Sequence, residues 1–159
     1  MIATSFFAAS LILVLLLAVT MKYGVPDMVS SIYYMLGRHG WVFQAVLTLF
    51  AATMMVCLLD SGLGVQCLAF LACAGLMFVA IAPRFLDSSE HLVHKGCAIM
   101  SAVSAVSWCM TVDVPLTIAF TGFYAIYWCC RSPDNKPLFT AEVMALLLVL
   151  ATYWRNCLV

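Results

Sequence analysis

The stretch IATSFFAASLILVLLLAVTM covers residues 2–21 and contains no charged side chain. A transmembrane α-helix needs about 20 consecutive, mostly apolar residues, so this stretch is long enough to cross a bilayer by itself. No basic segment precedes it and no small-residue cleavage site follows it. These features predict a retained membrane span rather than a signal peptide.

The composition of the whole chain extends this prediction. Of its 159 residues, 66% are hydrophobic and 9% are charged, and the mean hydropathy is +1.12. An average soluble domain is about half apolar and about a quarter charged, so this chain lacks the polar residues that would cover a soluble surface. The formal net charge is zero. Nucleic-acid binding needs a basic stripe, and we expect no nucleic-acid partner.

Six segments are predicted to span the membrane: residues 2–21, 41–59, 63–82, 92–110, 114–130 and 138–154. They do not alternate apolar and polar residues as barrel strands do. Helices and closed barrels are the folds that satisfy backbone polar groups in lipid. We therefore predict an all-α fold, a six-helix transmembrane bundle forming one polytopic domain over residues 1–159.

Aromatic and basic residues indicate how this bundle is placed. Tryptophan prefers the two membrane interfaces, and four tryptophans near span ends are predicted anchors: Trp41, Trp108, Trp128 and Trp154. The loops after the first, third and fifth spans carry most of the basic residues: Lys22, Arg38, Arg84, Arg131 and Lys136. The positive-inside rule puts these loops in the cytoplasm. We expect a bacterial inner-membrane protein with both termini outside.

The first loop contains PDMVSSIYYMLG, residues 26–37. Its apolar residues recur at helical spacing and share one face: Met28, Val29, Ile32, Tyr33 and Leu36. Asp27 is placed to cap such a helix, and Gly37 is placed to end it. The pattern predicts a short interfacial helix in this loop.

A polar group of residues is predicted on the cytoplasmic side, where the fourth span begins. The candidates for a shared pocket are His91, His94, Glu142, Ser30, Ser31 and Asp87. Two histidines spaced i, i+3 share a helix face, and imidazole is a ligand of zinc, so a carboxylate could complete a metal site there. The alternative is that these residues form the polar rim of a helix at headgroup level. We favour the rim.

The fourth span is also rich in small residues. Gly96, Ala98, Ser101, Ala102 and Ala105 are predicted to let neighbouring helices approach closely. We therefore expect this span in the middle of the bundle.

The chain contains no phosphate-binding loop, no HExxH pair and no GxSxG elbow, which removes the common enzyme classes that these motifs define.

Three stretches carry a family resemblance: GVPDMVSSIYYML (24–36), FLACAGLMFVAIAPRF (70–85) and HLVHKGCAIMSA (91–102). Their order resembles the bacterial membrane proteins grouped as domain of unknown function 998, over roughly residues 22 to 107. The matching positions are Ser30 or Ser31, Gly75, Pro83, and His91 or His94 with Ala98.

That family has no settled activity. It is distantly similar to the membrane hydrolases related to alkaline ceramidase, which use Ser, Asp and several His residues around zinc. The resemblance therefore implies a zinc site. The chain departs from the hydrolase pattern because it has three histidines in all and none in its last span.

Our leading hypothesis is a small, non-enzymatic integral membrane protein without a cofactor. It would bind a lipid or another hydrophobic molecule, or contact other membrane proteins or a second copy of itself. One alternative is a metal-dependent membrane hydrolase in which His91, His94 and a carboxylate hold zinc. The other alternative is a small transporter.

Overall fold

Helices form nearly all of the chain that the structure describes. The computed structural model describes residues 1–81, 88–131 and 135–158, and for residues 88–91 the backbone alone. No β-strand occurs within these ranges. The all-α class predicted from the apolar runs is confirmed.

Seven α-helices lie in the described residues: α1 (Ile2–Tyr23), α2 (Ile32–Met35), α3 (Gly40–Ser61), α4 (Gln66–Ile81), α5 (Ser88–Val112), α6 (Val114–Cys130) and α7 (Pro137–Leu158). Two 3-10 turns, Val29–Ser31 and Gly37–His39, flank α2. Four helical regions are long and apolar enough to cross a membrane: Ile2–Tyr23, Gly37–Ser61, Leu92–Val112 and Pro137–Leu158. The apolar helices α4 and α6 are shorter, with 16 and 17 residues.

Five of these helices form a ring. α1 packs on α3, α3 on α4, α4 on α5 and α5 on α7, and α7 returns to contact α1. α6 lies outside the ring against α7 and α5, where it buries Thr117 and turns most of its other side chains outward. The core inside the ring consists of large apolar side chains, among them Ile12, Phe43, Leu47, Met54 and Leu150.

One end of the ring, here called the terminal end, holds Met1 and Leu158. Trp154 Nε1 donates a hydrogen bond to Ser5 Oγ (2.9 Å), which joins α7 to α1. Arg155 Nη1 lies 3.1 Å from the buried carboxylate of Asp113. Asp113 also caps α6 by accepting a hydrogen bond from the Leu116 N–H (3.1 Å), because the first N–H groups of a helix have no partner within it.

The four tryptophans are not equivalent. Trp41 and Trp128 are exposed, as interface anchors would be. Trp154 is half-buried and stacks on Phe6, with ring centroids 4.3 Å apart. Trp108 is 1% exposed, and its Nε1 donates to the Leu63 carbonyl (3.0 Å) in the turn between α3 and α4. Trp108 therefore differs from the other three: its indole fills the core and its Nε1 holds the turn between α3 and α4.

The small residues of α5 mediate its contact with α4. Ser101 Oγ donates to the Ala72 carbonyl (2.7 Å), and Ala105 is buried. The position on α4 that permits this approach is Gly75, since a Cβ there would lie 2.9 Å from the Cys97 carbonyl oxygen. Gly96 does not take part, because it is exposed and a Cβ there would meet no atom within 4 Å.

α5 is a member of the ring rather than its centre, contrary to the prediction. One face packs on α4 and α7, while Leu92, Ile99 and Val103 on the other face are exposed. The small residues identified a packing face correctly in outline. The sequence did not indicate that the opposite face of α5 is exposed. The residues on that face are as apolar as those on the packed face, so hydrophobicity does not distinguish the two.

Candidate binding cavity

A cavity of about 100 Å³ lies inside the ring, between α3, α4, α5 and α7. Val29 and Ser30 close it at the end opposite the terminal end. The wall is almost entirely apolar. The wall residue Cys73 is a free thiol in a buried position, where Cys behaves as a small hydrophobe.

The cavity exists because the alanines in its wall are too small to fill the space between the helices. All four helices contribute alanines to its wall, including Ala51, Ala72, Ala98 and Ala145. Phe50 and Met54 of α3 are buried beside them and bound the space. Apolar cavities of similar size stay dry and take up apolar guests; an engineered one of about 150 Å³ binds benzene. The geometry therefore suits a small apolar group or a short alkyl chain.

Glu142 supplies a carboxylate to this apolar wall. It lies in the second turn of α7, and its Oε2 accepts a hydrogen bond from the Val29 N–H at 2.5 Å. A carboxylate inside an apolar helix is costly and is often functional. Val29 begins the 3-10 turn Val29–Ser31, so its N–H has no partner inside that turn. The contact satisfies a donor that helix geometry leaves free.

Asp27 does not cap this turn, although the sequence predicted that it would. The cap position is Met28, which has no side-chain capping bond. The Asp27 carboxylate instead pairs with Lys136 Nζ at 2.5 Å, and the Asp27 carbonyl accepts from the Phe139 N–H at 3.2 Å. Both contacts join the first loop to the beginning of α7. Glu142, and not Asp27, therefore bonds the first N–H of this turn.

The first loop presents its predicted apolar face to the bundle. Val29 and Ile32 are buried, and Met28, Tyr33 and Leu36 are half-buried. α2 packs on α3, and the turn Val29–Ser31 packs on α7. The loop therefore covers one end of the ring. Its placement in a membrane interface stays a prediction.

The structure brings together some of the residues predicted for a polar pocket. Ser30 and Glu142 line the cavity with four small residues of α5: Ala98, Ser101, Ala102 and Ala105. These small residues and Glu142 share one wall because α5 and α7 are neighbours in the ring and both turn these faces toward the cavity. For the polar candidates His91 and His94, the sequence favours a rim at headgroup level, and that stays a prediction.

The remaining predicted residues do not line the cavity wall. Ser31 and His94 are half-buried and absent from the lining. Asp87 and the side chain of His91 lie outside the described residues. In the described part of the chain, no three His, Cys, Asp or Glu side chains converge on a metal position. The zinc hypothesis, which uses His91 and His94 with a carboxylate, stays a prediction.

The contribution of α3 and α4 to the cavity was not predicted from the sequence. The available signal was the recurrence of alanine in these spans, at Ala51 and Ala72. Helical spacing assigns such residues to a face but does not say which faces oppose each other.

Comparison with family models, with curated proteins and with solved structures found no match to this chain.

Proposed function

We propose that this chain is a six-span membrane protein that binds a hydrophobic molecule in the cavity between α3, α4, α5 and α7. The single observation that carries this proposal is the cavity itself, with its apolar wall and its carboxylate at one end. Ligand sites are typically mostly apolar, with a few polar groups that fix orientation. Ser30 and Glu142 would be those groups here.

The six-span part of the proposal depends on α4 and α6. With 16 and 17 residues, they are about 24 and 26 Å long at 1.5 Å per residue. The hydrocarbon core is about 30 Å thick, and a short span is accommodated by local thinning of the bilayer. Both helices are apolar along their length, which supports spanning.

The proposed orientation follows from charge. Lys22, Arg38, Arg131 and Lys136 lie beside the first loop or at the adjoining helix ends. The positive-inside rule places this end in the cytoplasm of a bacterial inner membrane and the terminal end outside. Surrounding lipids would contact the exposed apolar faces, and a hydrophobic ligand would reach the cavity from them.

Photolabelling tests the binding proposal. The probe is a hexanol that carries a diazirine, applied to the chain in phosphatidylcholine vesicles, with the labelled residues mapped by mass spectrometry. We expect label on wall residues such as Leu76 and Val149, reduced by an excess of plain hexanol. Ala98→Phe fills the cavity, so labelling of the wall should fall by about tenfold, equivalent to ~1.4 kcal/mol of binding free energy.

Ala125→Phe is the matched control, because Ala125 is exposed on α6. It should leave wall labelling unchanged. Overpacking at position 98 costs about 1–3 kcal/mol, so circular dichroism should verify that the variant folds, and Ala145→Leu provides a smaller filling change. Label found on outward-facing residues alone, or equal wall labelling in Ala98→Phe and the native chain, would refute the proposal.

A further inference from the structure

We propose that the molecule bound in this cavity is a cationic amphiphile, an alkylammonium, whose head group pairs with the Glu142 carboxylate. This inference rests on the proposed function, and it adds the chemical class of the ligand. The alkyl chain would lie against the apolar wall, and the ammonium would lie at the end of the cavity that Ser30 closes.

The first argument is charge. Glu142 is the acidic residue of the wall, and no basic side chain lines the wall among the residues that the structure describes. A carboxylate in apolar surroundings is costly unless it is paired and hydrogen-bonded. The Val29 N–H supplies one hydrogen bond to Oε2. An ammonium group would supply the missing positive charge and further N–H donors.

The second argument is that Lys136, a basic residue close to Glu142 in sequence, pairs with a carboxylate outside the wall. Lys136 immediately precedes α7, in which Glu142 lies, and its Nζ is 2.5 Å from Asp27 Oδ1. Of the two serines in the wall, Ser101 donates to the Ala72 carbonyl. The wall therefore offers a polar head the Ser30 hydroxyl and the Glu142 carboxylate, and of these two the carboxylate can carry charge. Both an ammonium and a hydroxyl can donate to the carboxylate, but the ammonium adds Coulomb attraction between two opposite charges, so it should be preferred over a hydroxyl.

The third argument is the shape of the site. Along α7, the wall runs from Glu142 to Val149, a distance of about 10 Å at 1.5 Å per residue. The carboxylate lies at one end of this length and apolar side chains follow it: Ala145, Leu146 and Val149. A molecule with one polar end and a slender apolar body fits this order, whereas a uniformly apolar guest would leave the carboxylate unpaired.

Competition against the photoreactive hexanol tests the inference. The competitors are hexylammonium, hexanol and hexanoate, which share a chain and differ in head group. Phosphatidylcholine vesicles carry no net charge, so their surface neither concentrates hexylammonium nor repels hexanoate electrostatically. We expect hexylammonium to compete at a concentration about tenfold lower than hexanol, corresponding to ~1.4 kcal/mol. Hexanoate should be the weakest competitor, because two carboxylates repel.

Glu142→Gln removes the charge and keeps the shape of the side chain. The advantage of hexylammonium over hexanol should disappear in this variant, while the photoprobe still labels the wall. Asp27→Asn is the matched control, since it removes a carboxylate at the same end of the ring but outside the wall. It should retain the advantage.

The outcomes separate the two proposals. Wall labelling that hexylammonium and hexanol suppress equally in the native chain would overturn the cationic ligand and leave hydrophobic binding in place. An ammonium preference that persists in Glu142→Gln would overturn it as well. Absence of wall labelling would overturn the proposed function itself. The head-group comparison uses the native chain, so it remains decisive even if Glu142→Gln does not fold.

Discussion

Individual residues in this chain act on partners far away in sequence. Glu142 accepts a hydrogen bond from Val29, 113 positions earlier. Gly75 allows α4 to contact α5 near Cys97 and Ser101. Close helix approach at small residues is a main source of association in lipid, where apolar burial between helices gains little. Adding a single carbon atom at Gly75 should therefore weaken the packing of α4 against α5.

Gly75→Ala and Gly96→Ala form a matched pair for this prediction. A Cβ at position 75 would lie 2.9 Å from both the Cys97 carbonyl oxygen and Ser101 Cβ, whereas at position 96 it would meet nothing. We expect Gly75→Ala to lower the free energy of unfolding by about 1–3 kcal/mol through overpacking. Gly96→Ala should be neutral or stabilising by up to ~1 kcal/mol, because Ala favours helix.

Unfolding of each variant in detergent, followed by circular dichroism, measures the difference. If Gly75→Ala proves as stable as Gly96→Ala, the α4–α5 contact does not depend on the missing Cβ.

The residue scale also shows where prediction from sequence ends. Small residues such as Ala98 and Ser101 indicated one packing face of α5, and the structure places both in the cavity wall. Their partner Gly75 and the cap of Val29 by Glu142 were not predicted. Spacing along a helix fixes which residues share a face, whereas the identity of the opposing face depends on how the whole chain folds.

At the scale of elements, the first loop is the informative case. Its apolar spacing predicts one short helix, and the structure has a four-residue α-helix between two 3-10 turns. Helices this short are marginal by themselves, and burial of Val29 and Ile32 stabilises this one. Gly24 and Gly37, with φ of +84° and +52°, set the path of the loop on either side.

Two contacts of this loop should differ in strength, and hydrogen exchange can rank them. The Asp27–Lys136 pair is largely exposed, with side-chain exposures of 71% and 43%, and such pairs contribute about 0–1 kcal/mol. The bond from Val29 to the Glu142 carboxylate is partly buried, and hydrogen bonds to charged groups contribute about 1.5–3 kcal/mol.

We therefore expect amide exchange in residues 29–33 to accelerate by about tenfold or more in Glu142→Ala, a change of at least ~1.4 kcal/mol. Lys136→Gln should accelerate it by less than about fivefold. The amides of α3, measured in the same experiment, serve as the internal control. A larger effect from Lys136→Gln would show that the ion pair, and not Glu142, holds the loop.

At the scale of the molecule, the lengths of the apolar segments predicted where the helices lie but did not predict how they are arranged. The predicted spans 41–59 and 114–130 correspond to α3 (Gly40–Ser61) and α6 (Val114–Cys130). The position of α6 outside the ring and the cavity inside it were not predicted. In a soluble protein the polar face of a helix marks the outside. Here the outward faces of α5 and α6 are as apolar as the inward ones, so polarity does not show which face of a helix is exposed.

Accessibility of introduced cysteines tests the proposed topology. His39 precedes α3 and Asp60 lies in its last turn, while Asn135 lies between α6 and α7; all three are exposed. Because basic loops stay in the cytoplasm, a membrane-impermeant maleimide should label Asp60→Cys in intact cells. It should label His39→Cys and Asn135→Cys after permeabilisation, with modification mapped to the introduced residue to exclude native cysteines.

Each pair of positions tests a different part of the topology. His39 and Asp60 flank α3, so labelling from the same side would mean that α3 does not cross. Asp60 and Asn135 are separated by α4, α5 and α6, an odd number of crossings. If one of the two short helices failed to cross, Asn135 would be labelled from the same side as Asp60, and the six-span topology would be wrong. If both failed, Ser88→Cys at the start of α5 would be labelled from the same side as Asp60, whereas six spans put it on the opposite side. The fully reversed pattern would retain six spans and invert the orientation, which would place the Glu142 end of the cavity outside.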